Sequence, residues 1–192
     1  MTEAPTRRDA TRNRERLVDA ARRTFAALGP EAPLEAVAAA AGVSRTTLHR
    51  HFASREALAS AVLQQNVADI EARAAAVSDA ADGVVELFHH VLDVQVGSPM
   101  LALLIARGDS PELADLARRT EAAFGPLLDR GRAAGVVHPG VTTRHVMLAL
   151  PMAMSALAVE GHAADDPRGR GVRQILHRGL FTTEPPVAAS TS

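Results

Sequence analysis

Between positions 45 and 55 the chain sets Arg45, Thr46, Thr47, His49, Arg50 and Arg55 in close succession, all side chains that hydrogen-bond to bases or phosphates. An arginine fork matches the paired acceptors on the major-groove edge of guanine, and a threonine reaches a thymine methyl or a base edge. The segment opens at Ser44, a good N-cap, and is fastened from within by Leu48. At about 100° per residue from Leu48, Thr46 lies near ~160° and Arg50 near ~200°, so both point away from the core, with Thr47 and His49 flanking them. Arg50 and Thr46 are accordingly assigned to base edges. Thr47, His49 and Arg55 are assigned to phosphates, which position a reader without specifying sequence, and Arg45 completes the DNA-binding set.

Such residues need a rigid support, and the preceding stretch supplies it. Leu34, Val37, Ala38 and Ala41 make a short amphipathic helix that stops at Gly42, where a turn needs a positive φ. Val43, Leu48 and Phe52 hold the next helix against it, giving helix-turn-helix length and spacing. Before them, Leu17, Ala20, Ala21, Phe25 and Leu28 recur at helical spacing from Asn13 to Leu28. The periodicity predicts further helices over Arg55–Ala76, Val84–Val96, Met100–Ala106 and Arg144–Glu160, and a last one near Arg170–Leu180. Another starts at Ser110 and Pro111 and is kinked or interrupted at Gly125 and Pro126.

With 47% hydrophobic residues but only 3% aromatic ones, the core must be built from close-packed aliphatic helices, and no strand pattern or internal repeat appears. The expected fold is all-α: an N-terminal three-helix helix-turn-helix domain plus a C-terminal helical bundle for dimerisation and ligand sensing. The expected boundaries are a flexible basic arm over 1–12, the DNA-binding domain over 13–60, the C-terminal domain over 61–182 and a disordered tail over 183–192. In the arm, Arg7, Arg8, Arg12 and Arg14 are placed to reach the DNA backbone or minor groove.

Charge is distributed unevenly. Residues 1–60 hold ten arginines against seven acidic residues, and the rest hold eleven against fifteen, so a polyanion is expected at the N-terminal end. The chain has no cysteine, which excludes disulfides, thiolate catalysis and cysteine zinc sites and fits a reducing cytoplasm. The first residues carry no secretory signal pattern, and the longest apolar run, about 14 residues over Val146–Val159, is shorter than the roughly 20 of a membrane span. A cytoplasmic protein without membrane attachment is the expectation. No nucleophile elbow, phosphate loop, HExxH helix or paired-carboxylate signature occurs, so neither an enzyme nor a cofactor or metal requirement is expected. His89 and His90 are adjacent on one helix and do not converge on one ion.

Residues 13–63 resemble the DNA-binding domain of the TetR family of bacterial regulators. The resemblance is carried by Leu17-Val18-Asp19-Ala20-Ala21 with Phe25 and Gly29, by Val37-Ala38 and Ala41-Gly42-Val43-Ser44, and by Thr47-Leu48, His51-Phe52 and Ser54-Arg55-Glu56-Ala57-Leu58. It implies a homodimer on palindromic double-stranded operator DNA, most often a repressor released by a small-molecule effector. Two departures stand out: His49 occupies a position that is tyrosine in many members, and Pro33 one that is often threonine, so a hydroxyl able to cap or to contact phosphate is missing.

In the C-terminal domain, Val146–Val159 is apolar on every side and needs cover on every side. With Val172, Ile175, Leu176, Leu180 and Phe181 of the last helix it is expected to form a four-helix interface with a second copy. The candidate ligand-binding residues are Phe88, His89, Met100, Leu104, Phe124 and Met147, with Leu103 and His90 beside them. The competing reading is a helical ligand-binding or scaffold protein that keeps a degenerate helix-turn-helix. Operator, effector and regulated genes are not encoded legibly in the sequence.

Overall fold

In the computed structural model the described residues are 7–96, 98, 101, 111–158 and 167–185. They form eight helices: α1 (Arg7–Leu28), α2 (Leu34–Ala41), α3 (Arg45–His51), α4 (Arg55–Ala76), α5 (Gly83–Val96), α6 (Pro111–Ala133), α7 (Thr143–Ala158) and α8 (Pro167–Leu180). The sole pairing of extended backbone among these residues is an isolated antiparallel bridge between Val137 and Phe181. The fold is all-α, as expected. The chain divides into two compact units, one of 1–66 with 98–108 and a second of 67–97 with 109–192, the division falling inside α4.

In the first unit, α1 lies on α2 and α2 on α3. Leu17, Ala20, Ala21 and Phe25 turn one face of α1 inward, and Val37, Ala38 and Ala41 do so for α2. α1 begins at Arg7, six residues before the expected Asn13, so part of the predicted arm is helix. Pro33 stands at the N-cap of α2, one position before the expected first turn, and makes no side-chain cap bond. The helix survives because proline at φ −59° already has the torsion the turn requires.

In the second unit, α5, α6 and α7 pack on one another and α8 packs on α7. Phe88, Phe124, Leu128, Val146, Leu150 and Phe181 belong to one buried cluster, each worth roughly 1.5–3 kcal/mol relative to an exposed side chain. α6 runs unbroken through Gly125 and Pro126, so the expected interruption does not occur there. Pro126 is exposed, so its ring projects outward, and the Ala122 carbonyl it leaves without a donor belongs to an exposed residue that water can reach. Phe124, Leu127 and Leu128, buried on the opposite side, hold the two halves in one register. Gly131 marks a close crossing: a Cβ there would lie 2.8 Å from Val84 Cγ1 and 2.9 Å from Val137 Cγ2.

After α8 the backbone turns back on the loop that follows α6. Leu180 O accepts from His138 N at 3.1 Å and Val136 O accepts from Thr182 N at 2.9 Å. Thr182 Oγ1 donates to Gly135 O at 2.7 Å. The predicted helix over Met100–Ala106 lies almost wholly outside the described residues, as does the tail beyond 185.

Candidate nucleic-acid interface

α3 is built by three local devices. Gly42, at φ +64°, closes α2 with its N–H on Ala39 O and turns the chain, a torsion that a side chain would strain. Ser44 then caps α3, its Oγ accepting from Thr47 N at 3.1 Å. Leu48, fully buried, pins the helix against the unit's core. With that anchor set, Arg45, Thr46, His49 and Arg50 are all exposed, Thr46 and Arg50 as the helical angles predict.

The flanking residues sort differently. Thr47 is half-buried and its Oγ1 sits 2.9 Å from Ser44 Oγ, making it part of the cap. The Arg55 guanidinium turns inward, donating from Nη1 to Pro30 O at 2.9 Å and to Ala32 O at 2.7 Å. It also stands over the Phe25 ring, 5.9 Å from the centroid. Arg55 thus ties the start of α4 to the α1–α2 turn. Arg14 lies over the Phe52 ring at 5.4 Å, packing where an arm contact was expected, while Arg12 is exposed. The side chains of Arg7 and Arg8 lie outside the described residues.

One participant was missed by sequence reasoning. Glu35, in the first turn of α2, pairs with Arg45 at 2.8 Å, both side chains being more than half exposed. Arg45 Nε donates to His49 Nε2 at 3.4 Å, which requires a neutral His49 ring with its proton on Nδ1. The first-turn acid of α2 was visible in the sequence, but its partner, ten residues on, was not.

Residues 17–62 match the family model described as bacterial regulatory proteins, tetR family. The matched span contains the capped α3, the Gly42 turn and the buried anchors of α1 and α2. Residues 17–62 thus form a DNA-binding domain of the TetR-family type. A TetR-family regulatory protein from Mycobacterium vanbaalenii is 26% identical over 92% of this chain and 99% of its own, with a TM-score of 0.67. A TetR regulator from Streptomyces coelicolor is 24% identical over 88% and 99%, with a TM-score of 0.68. SmeT, the repressor of a Stenotrophomonas maltophilia multidrug efflux pump, shares the fold at 17% identity, 93% and 95% coverage and a TM-score of 0.53. No curated protein matches by sequence. The domain over residues 17–62 carries a helix-turn-helix and supports a DNA-binding regulator of transcription.

The ligand candidates of the second unit are placed as follows. Phe88 and Phe124 are fully buried in the core cluster and Met147 packs against it. Met100, Leu103 and Leu104 lie outside the described residues. The His89 ring is already occupied. It stacks on His177, with centroids 5.2 Å apart, and its Nε2 is 2.9 Å from His177 Nδ1. Its Nδ1 is 3.2 Å from Arg173 Nη1, and Arg173 is paired in turn with Asp93. Burial, followed by the charges of Arg173 and His177, pushes the His89 pKa down to about 4. His90 differs: its Nε2 is buried and has no hydrogen-bond partner among the described residues. Among those residues no helix is long and apolar enough to cross a membrane, and no group of three metal-ligating side chains occurs.

Proposed function

We propose that this chain is a homodimeric repressor that binds a palindromic operator through α3 and is released by a small molecule bound in its second unit. The observation that carries the reading is the outward face of α3. Thr46 and Arg50 are exposed on a helix held by the Ser44 cap and the buried Leu48, the arrangement a major-groove reader requires. Arg50 and Thr46 address bases, and His49 and Arg45 address phosphates or neighbouring edges.

Dimerisation is supported by Leu148 and Met152, one turn apart on α7, and by Ile175 on α8, which are 53%, 61% and 73% exposed. Of the five apolar residues expected at the α8 interface, Leu180 and Phe181 belong to the core, Val172 and Leu176 pack against it, and Ile175 alone is strongly exposed. Ligand sensing is supported by His90 Nε2, since a buried ring nitrogen without a partner is satisfied by a bound polar group or water.

Selection of binding sites from random duplex DNA by the purified protein, with Arg50→Ala and Thr46→Ala in parallel, tests the reading. An inverted repeat that changes or vanishes in the variants is the expected result. Enrichment indifferent to both substitutions would sink it.

A further inference from the structure

We propose that Glu35 is a specificity-determining residue of the α3 face, one that restrains Arg45 and penalises duplexes unable to satisfy its carboxylate. The inference rests on the reading of α3 as the DNA-contacting element. Arg45 is the first residue of that helix, and its guanidinium is engaged twice from within the protein: Nη1 by Glu35 Oε1 at 2.8 Å and Nε by His49 Nε2 at 3.4 Å. α2 and α3 together hold one acidic residue, Glu35, beside Arg45, His49, Arg50 and His51.

An exposed ion pair of this kind is weak in water, because solvent screens both partners and their side chains lose freedom to meet. It is therefore easily exchanged. Against DNA the balance changes, since Arg45 cannot swing to a phosphate without leaving Glu35 unpaired in the negative potential of the backbone. A random duplex offers no compensation. A cytosine amino group at the right step does, because a carboxylate accepts from cytosine N4 while the adjacent arginine takes a neighbouring guanine edge. The pair then reads as a unit, and elsewhere it lowers affinity. Specificity gained by weakening the wrong complexes is the general form of such a device. The competing structural explanation is that Glu35 serves only the N-terminal dipole of α2; that role changes stability without changing discrimination.

The test compares wild type with Glu35→Gln on two duplexes, the site recovered by selection and a scrambled sequence of equal length. Affinities are measured between 50 and 200 mM salt, with thermal melts to confirm folding. Glu35→Gln is expected to bind the scrambled duplex several-fold more tightly, with log K falling about 0.9 more steeply per decade of salt because one further phosphate is engaged. The operator gains less, so the ratio of the two affinities falls. Unchanged affinities in Glu35→Gln, or an equal gain on both duplexes, would overturn the proposal while wild-type operator binding still stood. Failure of wild type to prefer any site would instead remove the reading of α3, and the inference with it.

Discussion

His89 Nε2 and His177 Nδ1 lie 2.9 Å apart in the core of the second unit, joining α5 to α8 across 88 positions of sequence. The far side of His177 fixes the direction of the bond. Its Nε2 is 2.8 Å from Thr183 O, which can only accept, so Nε2 carries the proton and Nδ1 accepts from His89. His89 Nδ1 is then left to accept from Arg173. Each donor in the series has an acceptor only while His89 is neutral. Its pKa of about 4 lies below the ordinary value of 6.5 recovered on unfolding. Between those limits the unfolded chain binds the extra proton, so stability is full above pH 6.5 and falls as the pH drops toward 4, by on the order of 3 kcal/mol in all. Melting temperatures from pH 7.5 to 4.5 should fall in wild type and fall less in His89→Gln; parallel curves would refute the assignment.

Arg55→Ala should destabilise the first unit by roughly 2–3 kcal/mol, since two buried-side carbonyls lose charge-assisted bonds and the Phe25 ring loses its cover. Arg55→Lys should recover only part, because one ammonium does not reproduce the planar contact with Phe25. The salt dependence of DNA binding should be nearly unchanged in the folded fraction. A lower salt slope at unchanged melting temperature would restore Arg55 to the phosphate contacts expected from sequence.

Gly131→Ala should cost about 1–3 kcal/mol, because the new methyl meets Val84 and Val137 from two sides of a packed crossing. Combining it with Val84→Ala should cost less than the sum of the two single changes. Simple additivity in chemical denaturation would show that the crossing yields more easily than the contacts imply.

Ile175→Arg and Met152→Arg should shift the protein from dimer to monomer in sedimentation while leaving its helical content intact, since both side chains are exposed on the folded chain. The monomer should bind the inverted repeat at least tenfold more weakly, having lost the gain from linking two half-sites. An unchanged sedimentation coefficient would move the interface elsewhere.

Helix α3 was legible in the sequence because its determinants are local: Gly42 for the turn, Ser44 for the cap, and Leu48 with its neighbours for the exposed face. What escaped was non-local or compensated. Residues 7–12 carry no apolar period, so nothing marked them as helix, yet they extend α1. Gly125 and Pro126 predicted a break that core contacts on the opposite side of α6 override. Arg55 stood beside DNA-contacting candidates in sequence, but its carbonyl partners lie 23 and 25 residues earlier. The His89–His177 bond had no sequence signal at all, and beside it His90 Nε2 is, among the described residues, the buried ring nitrogen without a partner.

The bonds around Leu180 and Thr182 also set how the chain bears mechanical load. A helix pulled along its axis ordinarily unwinds from its last turn, one bond at a time. Here tension applied beyond Thr183 is shared: it enters the last turn of α8 through His177, which holds Thr183 O, and the loop after α6 through the Val136, His138 and Gly135 bonds. Extension from that side should therefore load two elements at once, so that the clasp resists alongside the last turn of α8 where a bare helix end would fray alone.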